Sequence, residues 1–217
     1  MLIARFTRVL VAIGLALAFA GPSVAQDLRA GLRFGVDFAD LGGDAENTSV
    51  KTGFSAGAFI GADLGTIFRL GIDGQYVQKG AKAEETDLDD LEFNLEYLEF
   101  LLPLSVTVPT QGSLTPRFFA GPALAFETSC KRAATVDGVD VGVDCDEQDV
   151  DGATKGVDFG VFFGLGADVT LGTGVMAFDV LYNLGLSDIN DVAGSENTLK
   201  NRNIQITIGY ALVVGGS

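Results

Sequence analysis

The 217-residue sequence contains no histidine and no tryptophan. Without imidazole it cannot build a Ser-His-Asp triad, a Cys-His dyad or a zinc site that uses histidine. Basic residues are also few, with 14 Lys and Arg against 29 Asp and Glu and a formal net charge of −15. Phosphate would repel such a chain, so we expect no nucleic-acid partner. The residue pattern gives us no catalytic residue, no metal ligand set and no cofactor to assign.

Cysteine occurs only twice, at Cys130 and Cys145, within a polar and charged segment. In an exported protein such a pair predicts a disulfide, which for a loop of this size stabilises the fold by ~3 kcal/mol in the chain-entropy model. A metal site is a poorer interpretation, because two thiolates would lack further ligands.

Long apolar runs are absent apart from Val9–Ala20, which is too short to cross a bilayer as a helix. This run follows Arg5 and Arg8 and precedes the small-residue sequence Ser23-Val24-Ala25. The order of these features predicts a secretory signal peptide over residues 1–25, with cleavage after Ala25. The alternative is a buried N-terminal helix. We therefore expect one folded domain over residues 26–217.

Alternation of apolar and polar residues recurs along this domain and predicts β-strands. In RLGIDGQYVQK (69–79), for example, Arg69 and Asp73 share one face while Leu70 and Ile72 share the other. Eight segments show this pattern, and their apolar faces begin at Leu28, Phe54, Leu70, Leu98, Phe118, Val157, Met176 and Ile204. The stretch before the fourth segment, 91–96, has the opposite phase, and a β-bulge near Tyr97 would reconcile the two halves.

The connections between the segments alternate in length. Three are short and contain glycine, namely Leu64–Thr66, Thr110–Leu114 and Leu171–Gly174. Four are long and mostly acidic, namely Asp40–Val50, Gly80–Asp90, Ser129–Lys155 and Asp188–Lys200. Strict alternation puts every long loop at one end of the sheet, as in outer-membrane barrels. The pattern thus predicts an all-β fold, an eight-stranded antiparallel up-and-down transmembrane β-barrel.

The two strand faces differ in what they could pack against. The apolar face carries many phenylalanines, which would overfill the narrow interior of an eight-stranded barrel. The other face is rich in glycine and carries both signs of charge, which can pair in an enclosed lumen. We therefore predict a polar lumen with a charge network of Arg29, Arg33, Asp37, Asp63, Arg69, Asp73, Glu99, Arg117, Glu127, Asp158, Asp168 and Asp179. The alternative is a soluble, lipocalin-like ligand carrier with the apolar face inside.

Four segments resemble a known family: FRLGIDGQYVQKGAK (68–82), YLEFLLPLSV (97–106), FFAGPALAF (118–126) and LKNRNIQITIGYAL (199–212). Together they resemble the porin-family outer-membrane β-barrel proteins of Gram-negative bacteria, those with the outer membrane protein beta-barrel domain. The resemblance implies an outer-membrane location, contact with outer-membrane lipid and insertion by the barrel assembly machinery. The sequence departs from the family in having Asp73 where glutamate is common and in ending on Gly-Gly-Ser rather than on an aromatic residue.

The functional expectation is a non-enzymatic envelope or surface protein whose long loops make external contacts. A narrow porin-like channel for small solutes is one alternative, and a membrane-embedded lipid enzyme is another, although the lack of histidine argues against it. The acidic segment DCDEQDVDG (144–152) predicts a solvated loop; divalent cations bridging it to lipopolysaccharide is a further hypothesis. The pattern leaves the oligomeric state open.

Overall fold

The fold is taken from a computed structural model, which describes residues 27–45, 48–83, 89–136, 139–145, 154–192 and 196–214. The predicted signal peptide, residues 1–25, lies outside the described residues, as does most of the acidic segment 144–152. Within the described ranges, no helix has the length and apolar character needed to cross a membrane.

Antiparallel β-strands make up nearly all of the described chain. They are β1 (Leu28–Gly43), β2 (Thr48–Leu64), β3 (Phe68–Ala83), β4 (Asp89–Leu101), β5 (Leu104–Thr107), β6 (Leu114–Val136), β7 (Val139–Asp144), β8 (Val157–Leu171), β9 (Gly174–Gly185) and β10 (Leu199–Val214). The short predicted turns contain Gly65 and Gly172, which have φ angles of 75° and 61°. Glycine tolerates this left-handed conformation without a steric penalty, which explains its presence in both turns.

The strands close into a ring. β1 pairs with both β2 and β10, and the remaining pairs run β2–β3, β3–β4, β4–β6, β6–β8, β8–β9 and β9–β10. β5 continues the line of β4 between β3 and β6. The two therefore count as one strand of the barrel wall, interrupted at Leu102-Pro103, and we call each such wall strand a stave. A backbone bond from Gly71 N to the Pro103 carbonyl, 2.9 Å, keeps this stave attached to β3. The ring therefore has eight staves, which confirms the predicted eight-stranded up-and-down barrel.

The third long connection differs from the loop that we predicted over Ser129–Lys155. β6 continues to Val136 and pairs with β7, so this region begins with a β-hairpin that projects beyond the ring. Cys130 and Cys145 form a disulfide across the base of the hairpin, with a Cα–Cα distance of 5.4 Å. The backbone N–H of Cys145 also donates to the Cys130 carbonyl at 3.1 Å. The hairpin is thus fastened to the barrel at its base.

The outer wall of the ring is apolar. Leu32, Phe118 and Leu165 are 58 %, 60 % and 58 % exposed, whereas Arg33, Arg117 and Asp168 are 6 %, 7 % and 3 % exposed. Large apolar side chains would not face water over a whole barrel wall, but they match the hydrocarbon of a bilayer. This arrangement excludes the soluble, lipocalin-like alternative.

A β-bulge lies between Glu96 and Tyr97, where we predicted one, but its extra residue is Thr128 on β6. The predicted change of phase is wrong, because β4 keeps its phase across Leu95, Tyr97 and Glu99. Leu95 and Tyr97 therefore point inward and are 2 % and 0 % exposed. What changes along β4 is the environment of its two faces. Before Tyr97 the strand lies beyond the apolar band, so its outer face meets water and its inner face packs in an apolar layer. A change of environment looked in the sequence like a change of strand phase.

Candidate functional site: a charged lumen with a closed mouth

The inward face of the strands carries the predicted charged residues, because successive side chains of a strand alternate between the two faces. At the short-turn half of the barrel, eight of them form an arginine–aspartate network. Its members are Arg29, Arg33, Asp63, Arg69, Asp73, Arg117, Asp168 and Asp179. They come from six different strands, so only the closed ring brings them together.

Asp168 is the centre of this network. Its Oδ2 atom lies 3.1 Å from Arg29 Nη1 and 2.7 Å from Arg69 Nη1, and its Oδ1 atom lies 2.9 Å from Arg117 Nε. One carboxylate thus serves three guanidinium groups while being 3 % exposed. Removing it would leave three cations in an enclosed space with one fewer counter-charge.

The rest of the network balances these charges. Arg117 also binds Asp179 at 2.5 Å. Arg33 lies between two aspartates, with Asp179 Oδ2 at 3.3 Å from its Nη2 atom and Asp73 Oδ2 at 2.7 Å from its Nη1 atom. Four arginines therefore face four aspartates, and the network is formally neutral. Buried ions are tolerated in an enclosed space only when they are paired and hydrogen-bonded in this way.

A second polar group, which we name the Lys79 cluster, lies nearer the long-loop end. Glu99 accepts hydrogen bonds from Lys79 Nζ at 2.6 Å, Gln75 Nε2 at 2.8 Å and Asn183 Nδ2 at 2.7 Å. Gln75 Nε2 also donates to Gln205 Oε1 at 3.2 Å. All of these side chains are at most 3 % exposed.

The remaining predicted network members, Asp37, Asp158 and Glu127, do not belong to the arginine–aspartate network. Asp37 accepts from Asn203 Nδ2 at 2.7 Å, and Asp158 accepts from Asn201 Nδ2 at 2.9 Å. Glu127 accepts from Thr154 Oγ1 at 2.7 Å. The predicted single network is therefore divided among separate groups. Asn183, Asn203 and Gln205 were visible on the polar face of the sequence pattern, but alternation alone cannot say which amide meets which carboxylate.

One apolar layer lies between these polar groups along the barrel axis, and a second lies at the long-loop end. On β9, Leu181 lies between Asp179 of the network and Asn183, and it packs in a buried layer with Phe119 and Phe162. At the long-loop end a larger layer, which we name the mouth plug, closes the interior. It consists of Leu41, Val77, Ala81, Leu95, Tyr97, Ala125 and Ile189. The interior cavity beside the arginine–aspartate network has a volume of only about 40 Å³. The lumen is filled rather than open.

The loop between β9 and β10 places Ile189 in the mouth plug, and Asp188 holds that loop. Its Oδ1 atom accepts from the backbone N–H of Leu199 at 2.9 Å and of Asn190 at 3.0 Å, and its Oδ2 atom accepts from Lys155 Nζ at 3.0 Å. The two backbone bonds, followed by the bond from Lys155, lower the pKa of the Asp188 carboxyl to about 2. All three donors favour the ionised carboxylate.

The loop between β9 and β10 should therefore stay in place until the pH is strongly acidic. Because the pKa of Asp188 is lowered from its usual 3.8 to about 2, the bonds are intact above pH ~4 and are lost as the pH falls through about 2. We expect the amide resonances of Asn190 and Leu199 to titrate with a midpoint near 2 in nuclear magnetic resonance spectra of the barrel in nanodiscs. Asp188→Asn should abolish this titration. A midpoint near 3.8 in the wild type would contradict the role given to these bonds.

Taken together, the closed ring, the apolar wall and the ion-paired lumen define a transmembrane β-barrel of the outer-membrane class. Among the residues that the structure describes, no three Asp, Glu or Cys side chains are arranged to hold a metal ion. The sequence model of the family described as "Outer membrane protein beta-barrel domain" matches residues 10–211. The chain belongs to this family.

Among solved structures, the likeness to OprG supports the same fold. OprG from Pseudomonas aeruginosa aligns with a TM-score of 0.50 at 13 % identity, over 88 % of this chain and 97 % of that one. The Neisserial surface protein NspA aligns with a TM-score of 0.48 at 13 % identity, over 84 % and 96 %. Ail of Yersinia pestis aligns with a TM-score of 0.43 at 12 % identity, over 85 % and 98 %. No curated protein matches this chain. At these identities the likeness concerns the fold alone.

Proposed function

We propose that this outer-membrane barrel is a non-enzymatic and non-conducting envelope protein that presents its long-loop end to the exterior for surface contacts. The observation that carries the proposal is the filled lumen. A neutral ion network, two apolar layers and the Lys79 cluster occupy the interior in succession, which is the construction of an anchor rather than of a pore.

The long-loop end has the features of a contact surface. The β6–β7 hairpin projects beyond the ring and is braced at its base by the Cys130–Cys145 disulfide. Bracing limits the freedom that the hairpin would lose on binding a partner, and such preorganisation favours affinity. Among the described residues, the short-turn end offers only tight connections.

The rim of the same end supports contact with lipopolysaccharide. Lys82 and Arg202 project from the outer face with their side chains 44 % and 47 % exposed, and each also meets an acidic neighbour, Glu92 or Asp40. Long basic side chains at this height can reach lipid phosphate groups. We propose outer-membrane lipid and lipopolysaccharide as the lateral partners, and the barrel assembly machinery as the route of insertion.

Two measurements test this proposal. An epitope inserted in the loop between β9 and β10 should be detected on intact cells, while the same epitope in the short turn 110–113 should need permeabilised cells. Unboiled protein should migrate differently from boiled protein on a gel, which shows that the barrel is folded. In planar bilayers this folded protein should give no discrete conductance steps. Detection of the short-turn epitope on intact cells would reverse the orientation. Reproducible steps from correctly folded protein would favour the channel alternative.

A further inference from the structure

The β6–β7 hairpin ends in a strand that has one open side. In the ring, β8 pairs with β6 as far as Phe126, which lies opposite Val157. Beyond that point β7 takes the place of β8 on the same side of β6. Within the part of the chain that the structure describes, β6 is the only strand that pairs with β7. The other side of β7 is therefore a strand edge that projects beyond the ring.

The hydrogen bonds at the base of the hairpin show which backbone groups lie on this edge. The Cys145 N–H donates to the Cys130 carbonyl at 3.1 Å, and the Cα atoms of these residues are 5.4 Å apart. Both values are typical of a hydrogen-bonded pair, and such pairs alternate along an antiparallel ladder. Counting back from Cys145, every second residue of β7 therefore bonds to β6. The N–H and C=O groups of the intervening residues, Asp140, Gly142 and Asp144, point to the open edge.

The sequence of β7 specifies the chemistry of a strand that could pair with this edge. Its valines alternate with Asp140, Gly142 and Asp144, so the strand has an apolar face and an acidic face. Across the ladder on β6, Asp144 lies opposite Lys131, whereas Asp140 lies opposite the neutral Thr135. Basic residues directly opposite the aspartates would stabilise an added strand, because opposite charges attract across neighbouring strands.

The same charges disfavour a second copy of this chain as the partner. In an antiparallel pair of two β7 edges that aligns the strands fully, Gly142 faces its own copy and Asp140 faces Asp144. Like charges directly opposite each other destabilise a strand pair. Charged residues on an exposed edge are a common means by which proteins prevent such self-association. The edge is thus suited to a basic partner rather than to itself.

We propose that the open edge of β7 binds an extended segment of a partner protein, in which lysine or arginine alternates with apolar residues, by β-strand addition. The backbone of the segment pairs with the outward N–H and C=O groups of β7, and its basic side chains lie on the face of Asp140 and Asp144. The Cys130–Cys145 disulfide holds the edge in position before binding. This inference rests on the surface-contact function proposed above and names the surface and the kind of partner.

The test uses the full barrel, with its disulfide intact, in phosphatidylcholine nanodiscs. The probe is a capped peptide of alternating lysine and valine with the six-residue length of β7. We expect saturable shifts of the backbone amide resonances of Asp140, Gly142 and Asp144, and slower hydrogen exchange of the same N–H groups. A peptide of alternating glutamate and valine should cause no shifts. A lysine–valine peptide that is N-methylated on its lysines keeps its charge but cannot donate to β7, and it should not bind.

Two substitutions of Gly142 separate strand pairing from attraction between charges. Gly142→Pro removes one N–H from the open edge and none of the bonds to β6, and proline is tolerated on an edge strand. It should weaken binding of the lysine–valine peptide by ~10-fold. Gly142→Ala keeps the N–H, and its Cβ would lie 3.8 Å from the Arg132 carbonyl oxygen, an ordinary contact. This control should bind like the wild type, and each variant is first checked for heat-modifiable mobility.

Three outcomes contradict parts of this account in different ways. Equal binding of the N-methylated peptide, or unchanged binding in Gly142→Pro, would reduce the interaction to charge and overturn the proposal. Shifts of the same amides that appear on raising the barrel concentration without peptide would assign the edge to a second copy and also overturn it. Because nanodiscs expose both ends of the barrel, an epitope result that reversed the orientation in cells would overturn the surface-contact function and leave peptide binding unchanged.

Discussion

Replacement of Asp168 by asparagine is expected to lower the free energy of unfolding of the barrel by about 3–5 kcal/mol, the usual cost of removing one partner from a buried ion network. Asp168 is 3 % exposed and binds Arg29, Arg69 and Arg117. The amide would keep the shape of the side chain but not its charge. Three guanidinium groups would then share the remaining carboxylates, and the network would carry a net positive charge inside a closed ring.

Urea titration of the barrel in phosphatidylcholine vesicles, followed by heat-modifiable mobility, measures this loss. Glu92→Gln is the matched control, because it makes the same chemical change in the rim pair with Lys82, whose side chain is 44 % exposed. Exposed pairs contribute about 0–1 kcal/mol, so the control should unfold close to the wild type. Equal effects of the two substitutions would show that the Asp168 network does not stabilise the barrel.

The substitution Ile208→Arg is expected to lower the free energy of unfolding by about 2–4 kcal/mol, the typical cost of a basic residue on the lipid face near the bilayer midplane. Ile208 is 44 % exposed on the outer wall, midway along the apolar residues of β10. The same urea titration of Ile208→Arg would report the change. This prediction rests directly on the apolar wall facing hydrocarbon.

Val50→Arg provides the comparison for Ile208→Arg. Val50 is also an exposed β-branched residue, at 53 %, but it lies near the start of β2 at the long-loop rim. Near the interface the cost of arginine falls to about 0–1 kcal/mol. If arginine at both positions proves equally harmless, the wall does not face lipid over the height that we assign to it.

The orientation of the barrel wall could be predicted from the sequence because it depends only on alternation. A face that carries Phe34, Phe118 and Phe163 cannot fit inside an eight-stranded ring, so it had to point outward. The strand count followed from the number of alternating segments, and the order of short and long connections gave the antiparallel meander. None of these inferences needed a contact between distant residues.

Features that depend on particular contacts were not accessible in this way. The pairing of Asp37 with Asn203 and of Asp158 with Asn201 needs the register of strands that are far apart in the chain. The prediction of a loop over Ser129–Lys155 rests on the length and acidic composition of this segment, and it overlooks the alternation of Val139, Val141 and Val143 with Asp140, Gly142 and Asp144. The cavity lined by Leu41, Phe93, Arg132 and Ile189, among others, joins residues of β1, β4, β6 and the β9–β10 loop, and no local pattern marks it.

The arginine–aspartate network links strands from opposite ends of the chain. Arg29 on β1 meets Asp168 on β8 across 139 residues, and Arg33 meets Asp179 across 146 residues. An unrolled sheet therefore lacks the three ion pairs that join β1 and β3 to β8 and β9. It leaves three arginines with two aspartates on β1–β3, and one arginine with two aspartates on β6, β8 and β9. An intermediate in which the first and last strands are still unpaired would have to stay hydrated, because hydrocarbon does not accept unpaired ions or open strand edges. Pairing of β1 with β10 thus completes the hydrogen-bond ladder and the charge neutralisation together. Ring closure is therefore a cooperative step that comes late in membrane insertion.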